Sequence, residues 1–188
     1  LHPILHSFPT RRSSDLFLEQ VEDAWQLGDP LAATMLRWGA RLHEIGLDVA
    51  HNGYQRHGAY LLENADMPGF PREEQWLLAR IVGAHRRKPA LDGLERRAPP
   101  WDAHGRWLIV LLRLAVLLHR GRSGAPLPAI ALEAQGRTLT VRFPARWLGD
   151  HPLTVADLRN EIASLRAIGV RLRVFGARTQ LVVEAPAA

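Results

Sequence analysis

The sequence predicts a mainly α-helical domain followed by a small α+β domain. Three observations carry this. Apolar residues recur at helical spacing from about residue 17 to residue 122. The stretch GRSGAPLP at 121–128 then breaks the pattern with glycine, serine and proline. Beyond it, apolar and polar residues alternate about Gly136 and again after Gly169, on either side of one amphipathic stretch.

Taken in order, FLEQVEDAWQLGDP reads as the end of a helix stopped by Gly28, Asp29 and Pro30. Residues 31–42 place Leu31, Met35, Leu36, Trp38 and Leu42 at helical spacing, with Gly46 as the stop. A loop through Asn52 and Gly53 precedes a helix over 57–64. MPGFP is a turn, and Pro71 with Arg72, Glu73 and Glu74 starts a helix that runs to about residue 85. Residues 86–104 form a charged, proline-bearing loop. Residues 107–119 are apolar on nearly every face, which predicts a central buried helix. In the second part, 129–133 and 138–143 pair as a hairpin, and 154–168 form a helix capped by Thr154 and stopped by Gly169. Strands at 170–175 and 180–183 complete it. The expected domains are 17–122 and 129–188, joined by a linker at 123–128.

Residues 1–16 are set apart. HSFPTRRSSDL, at 6–16, reads codon for codon as the translation of a widely used short-read sequencing adapter. The expectation is an artefactual, disordered leader fused to a truncated gene, and such segments are excluded from fold reasoning.

The absence of cysteine rules out disulfides, thiolate metal sites and cysteine nucleophiles, and fits a reducing cytoplasm. The longest apolar run, 107–118, is interrupted by Arg113 and falls short of the roughly 20 residues of a bilayer span. The expected location is therefore cytoplasmic or membrane-peripheral, with no transmembrane segment. The formal charge of +5 is unevenly spread. Residues 17–79 carry four arginines against ten acids, net −6, whereas residues 80–122 carry ten basic residues against three acids, net +7. A basic block of this kind is either a solvated surface or a site for an anionic partner. Arginine outnumbers lysine 23 to one, a skew that reflects GC-rich coding more than chemistry.

The chemistry-bearing residues cluster in LHEIGLDVAHNGYQRHGAYLLE, at 42–63, with His43, Glu44, His51 and His57, followed by His85. Imidazole and carboxylate at helix ends can hold divalent ions that activate water on phosphate esters. The pattern resembles the HD superfamily, but His43-Glu44 stands where His-Asp is expected and Ala115-Val116 where Ala-Asp is expected. No histidine occurs in 24–41. Neither a metal site nor a catalytic residue is therefore expected, and His43-Glu44 reads as a hydrogen-bonded relic.

A longer likeness covers residues 17–188. LHEIGLDVAHNGYQRHGAYLLENADMPGFPREEQWLLARIVGAHRRK, RWLIVLLRLAVLLHR and RFPARWL resemble the C-terminal half of the exopolyphosphatase/guanosine pentaphosphate phosphatase family. The resemblance implies a degenerate HD-like helical domain and a small terminal domain. It also implies that catalysis and magnesium belong to N-terminal actin-like domains that this chain lacks, so the chain alone is expected to be inactive and to hold no cofactor. The family uses the C-terminal part for homodimer contacts and for a basic passage holding inorganic polyphosphate.

Polyphosphate presents only charged oxygens, which suit arginine forks and a lysine point charge. The expected polyphosphate-binding residues are His51, His57, His85, Arg86, Arg87, Lys88, Arg113 and Arg120, with Arg113 lining the passage because a buried arginine needs a partner or a lined cavity. Arg96 and Arg97 are expected to be solvated loop charges. The leading expectation is a fragment that contributes chain binding and dimer contacts to release of terminal phosphate. The alternatives are a guanosine pentaphosphate phosphatase fragment, or a residual metal-dependent HD phosphohydrolase using His43, Glu44, His51, His57 and His85. The basic block also suits nucleic acid, but no recognition helix or aromatic-studded strand supports a specific nucleic-acid partner.

Overall fold

In the computed structural model the described residues are 7–91, 93–97, 101–120, 127–176 and 179–181. Five long helices come first: α1 (Ser7–Trp25), α2 (Pro30–Leu42), α3 (Tyr54–Asn64), α4 (Arg72–Gly83) and α5 (Trp101–His119). Single 3₁₀ turns at Ile45–Asp48 and Leu94–Arg96 link them. The α+β part follows as β1 (Ala131–Gln135), β2 (Thr138–Arg142), the short α6 (Trp147–Asp150), α7 (Pro152–Arg166), β3 (Arg171–Gly176) and β4 (Thr179–Leu181). The chain is thus mainly helical with a small α+β part.

Helix α5 is the axle. Thirteen of its 19 residues are buried, so it must be covered on every side. Helices α1, α2, α4 and α7 supply that cover. On α1, Trp25 stacks on Trp107 with ring centroids 4.3 Å apart and planes within 8°. The start of α5 at Trp101 corrects the expected loop over 86–104, whose last residues are helical.

Residues 7–16, expected to be disordered, form the first turns of α1. Thr10, Ser14, Phe17 and Val21 are buried at spacings of four, three and four, so the stripe facing the core continues into them. Small hydroxyl residues fit there because their polar atoms are answered locally. Ser14 donates to the Arg11 carbonyl (2.8 Å), and Ser13 Oγ meets His119 Nε2 (2.8 Å).

The helix ends follow local chemistry. Asp29 caps α2, accepting from Leu31 N at 2.8 Å, and Pro30 occupies the first helical position. Helix α2 ends at Leu42, earlier than the Gly46 stop expected, and α3 begins at Tyr54, earlier than residue 57. The Gln75 side chain donates to the carbonyls of Leu62 (2.7 Å) and Ala65 (2.8 Å), which closes the free C-terminal end of α3 against α4.

In the α+β part the sheet order is β1-β2-β3-β4. The outer pairs are antiparallel, and β2 and β3 run parallel across the α6–α7 crossover. Gly136 (φ 53°) makes the hairpin turn and Gly169 (φ 74°) ends α7. Inward residues Leu132, Leu139, Val141, Leu172 and Val174 join Leu158, Ile162 and Leu165 of α7 in one apolar cluster with the helical part. Gln20 of α1 reaches strand β1 and accepts from Leu132 N at 2.8 Å, and the Trp25 indole donates to the Gly136 carbonyl (3.0 Å). Most of the expected linker, residues 123–126, lies outside the described residues.

Gly46 sets how closely α3 seats. A Cβ there would overlap the Tyr54 carbonyl oxygen and the Gly58 amide nitrogen, both backbone atoms. G46A is therefore expected to cost about 3 kcal/mol or more, since α3 itself must move. G28A, with nothing within 4 Å, is expected to stay within about 0.5 kcal/mol. Denaturant unfolding of both variants checks the contrast.

Candidate anion-binding site

Helix α4 ends at Gly83, and the chain turns through His85, Arg86, Arg87 and Lys88 against the N-terminal end of α3. His85 is 2% exposed and His43 4% exposed, and their rings meet edge to face at 5.3 Å. His85 Nδ1 lies 2.5 Å from the Val82 carbonyl and His43 Nδ1 lies 2.9 Å from the Ala40 carbonyl. A carbonyl only accepts, so both rings carry the proton on Nδ1. The Nε2 of His85 then accepts from the Tyr54 hydroxyl (3.4 Å).

Burial pushes His85 down to about 3, helped by neighbouring His43, Arg86 and Arg113 and opposed by the Val82 carbonyl. His43 is also lowered, chiefly by burial. Both are neutral at pH 7.

Around this neutral pair the cations are arranged outward. Arg86 is half-buried, its guanidinium 4.7 Å above the Tyr54 ring, while Arg87 and Lys88 are exposed. Arg87 has φ 58°, an uncommon conformation for a side chain with a Cβ. Its guanidinium reaches Asn52 Oδ1 (3.4 Å), which brings the loop carrying exposed His51 to the turn. His57 lies half-buried on α3, three residues beyond Tyr54.

The turn has a cleft on each side. One, of about 230 Å³, is lined by Arg86, Arg87, Arg120, Asp157, Asn160 and Ser164 among others, with His85, Arg113 and Glu161 at its base. The other, of about 720 Å³, is lined by Lys88, Arg96, Arg106 and Arg137, together with Ala167, Ile168 and Gly169. Among the described residues no carboxylate lines this second cleft.

Arg113, expected to line the passage, lies at the base of the first cleft with its fork taken up by protein groups. It is 3% exposed and grips Glu161 of α7 with two bonds, Nε to Oε1 (2.6 Å) and Nη2 to Oε2 (2.8 Å). It also donates to the carbonyls of Ala84 (2.6 Å) and Arg87 (2.9 Å). The partner that a buried arginine requires is thus present, and no vacant fork remains. Arg120 pairs with Asp157 at 2.9 Å in an exposed setting. His119 turns toward Ser13. Arg97, expected to be a solvated charge, pairs with Glu73 and lies 3.9 Å over the Trp76 ring, because a planar guanidinium gains from both contacts. Arg96 is exposed, and Arg122 lies outside the described residues.

The sequence reading missed Arg106, Arg137, Tyr54, Asp157 and Glu161. Glu161 had a signal: it sits on the stripe formed by Leu158, Ile162 and Leu165, a carboxylate among apolar residues that demands a cation. Among the described residues no group of three or more His, Cys, Asp or Glu is set to hold a metal ion. No described helix is long and apolar enough to cross a membrane.

The chain is thus a mainly helical unit closed by a small α+β part, with cations gathered on one turn between two clefts. The family model for Ppx/GppA phosphatase, domain III, matches residues 6–162, and the chain belongs to this family. Among curated relatives, a protein of Vibrio vulnificus is 37% identical over 152 residues, covering 81% of this chain and 30% of the relative. One of Aeromonas hydrophila is 31% identical over 172 residues (92% and 35%), and one of Vibrio cholerae 36% over 162 residues (86% and 32%). All three are named guanosine-5'-triphosphate,3'-diphosphate pyrophosphatase. The chain spans about a third of the length of these relatives.

The buried histidines set a pH dependence. An unfolded histidine binds its proton near 6.5 and folded His85 near 3, so its contribution to stability is full above pH 6.5 and is lost as pH falls toward 3. The expected slope approaches about 1.4 kcal/mol per pH unit for each such proton. Thermal melts between pH 7.5 and 4.5 should show a falling midpoint, and H85F should show a shallower fall. Identical pH profiles would remove His85 from this role.

Proposed function

We propose that this chain is the phosphate-holding, non-catalytic part of a Ppx/GppA-family phosphatase. The observation that supports this most is the basic turn Arg86–Arg87–Lys88 set between two clefts, one lined by Arg120 and the other by Arg96, Arg106 and Arg137. Phosphoryl oxygens in a row need cations in a row and no base-reading geometry. In this reading His51, on the loop that Asn52 ties to Arg87, is a further donor for the same oxygens, whereas His57 on α3 lines neither cleft. His85 supports the turn from below, its ring engaged by Val82 and Tyr54. In this reading terminal-phosphate release and its magnesium belong to the other domains of a longer protein. Homodimer contact is a second role of the same part.

The ligand is a linear phosphate chain, inorganic polyphosphate in the first instance. The second reading, guanosine pentaphosphate, is favoured by the names of the three relatives. Both ligands suit the turn, and they differ in length: only a long chain can occupy both clefts at once. A residual HD phosphohydrolase gains little support, since His85 is buried with both ring nitrogens engaged, Nδ1 by the Val82 carbonyl and Nε2 by the Tyr54 hydroxyl, and no group of three or more His, Cys, Asp or Glu among the described residues is set to hold a metal ion.

Titration calorimetry of the chain with long-chain polyphosphate and with guanosine 5'-triphosphate 3'-diphosphate, each at two salt concentrations, tests the proposal. Binding on the order of micromolar that weakens with salt is expected. Changing Arg86, Arg87 and Lys88 together to alanine should weaken it at least tenfold, since each charge-assisted bond contributes about 1.5–3 kcal/mol. No binding of either ligand at low salt would overturn the proposal.

A further inference from the structure

The basic turn owes its shape to two residues, one on the buried helix α5 and one outside the helical part on α7. Arg113 donates to the carbonyls at both ends of the turn, Ala84 (2.6 Å) and Arg87 (2.9 Å), and the same guanidinium is held by both carboxylate oxygens of Glu161 on α7. The Arg87 backbone stands at φ 58°, which a residue with a Cβ adopts only under constraint. The Arg113 bond to its carbonyl supplies that constraint. The reversal at Arg87 puts Arg86 and Arg87 on one cleft and Lys88 on the other.

We infer that Arg113 and Glu161 form a positioning pair through which the seated α+β part fixes the geometry of the basic turn. This rests on the anion-binding reading above and assigns a role to the α+β part within it. Glu161 has no need to touch the anion. It holds the Arg113 fork in the one orientation that leaves two N–H groups aimed at the turn, because a planar guanidinium gripped by two parallel bonds cannot rotate. Seven residues along α5 and four back along α7, Arg120 and Asp157 repeat the pairing at the exposed rim, which keeps the two helices in register. Without α7 in place the fork is free to turn, the Arg87 carbonyl loses its donor, and the three cations lose their fixed spacing.

The pair can be separated from stability, because replacing a buried ion pair with apolar residues of similar volume is often neutral or stabilising. The test uses the whole chain, tripolyphosphate as probe, and the double variant R113M/E161M. A positioning role expects an unchanged or raised melting temperature, amide exchange over residues 84–88 faster by at least tenfold, and a tripolyphosphate Kd weaker by at least tenfold. E161D, which keeps a carboxylate for the fork, should remain within about threefold of the parent. If the double variant binds tripolyphosphate as the parent does, with unchanged exchange at 84–88, the inference is overturned. Should the double variant fail to fold, R113K decides: it keeps a charge for Glu161 but loses the fork, so weaker binding in a folded protein supports the role and unchanged binding overturns it. A parent chain that ignores tripolyphosphate would sink the anion-binding reading alone, and exchange at 84–88 would still decide whether the pair shapes the turn.

Discussion

Arg113 sits in a helix whose other buried residues within one turn on either side are leucine, isoleucine, valine and alanine, and a charge in such surroundings has to be answered by polar groups brought from elsewhere. The answers come from three directions: a carboxylate on α7 and carbonyls on either side of His85. Together they tie α7 and the basic turn to α5 at one guanidinium. Such an arrangement adds little net stability over an apolar filling, while removing one partner of a buried pair costs about 3–5 kcal/mol. Its effect is on uniqueness: an α7 shifted by one turn would leave both Arg113 and Glu161 buried and unpaired.

The buried histidine pair belongs to the same neighbourhood and is constrained by the same charge. With Arg113 close by and three cations on the turn, a protonated His85 would add a further positive charge to a site already rich in them. Carbonyl bonds fix the proton on Nδ1 and burial keeps the ring neutral. Tyr54 serves both sides of this boundary, its hydroxyl donating inward to His85 and its ring lying beneath Arg86. The two buried histidines support the turn from inside, and exposed Arg87 and Lys88 beside them face water.

Much of the fold could be read from the chain. The periodicity of α2, α4 and α5 and the ββαββ pattern are properties of neighbouring residues, and local pattern records them. What escaped were features fixed by distant contacts. The first turns of α1 have a polar composition, yet Thr10 and Ser14 fit against the core because their neighbours, not their own hydrophobicity, exclude water. The start of α5 at Trp101 was hidden by a charged approach. At the site, the cations of 86–88 were visible as a block, but whether Arg113 faced a passage or a partner depended on α7, forty-eight residues away. Arg137 and Arg106 meet Lys88 only through the packing of the hairpin and α7 against the helices, and no spacing in the sequence announces that.

Strand β1 has a partner on one side only, and its other edge would ordinarily expose unpaired amides. The side chain of Gln20 closes that edge with a paired contact, accepting from Leu132 N at 2.8 Å and donating to the Ile130 carbonyl at 3.4 Å. A glutamine amide presents the same donor and acceptor as a peptide group, so a single side chain imitates a short neighbouring strand. An open strand edge is where β-rich chains recruit copies of one another into aggregates, and here that edge is blocked by a helix that also anchors the core. The helix that secures the hydrophobic interior thus also occupies the place at this edge where another strand would pair.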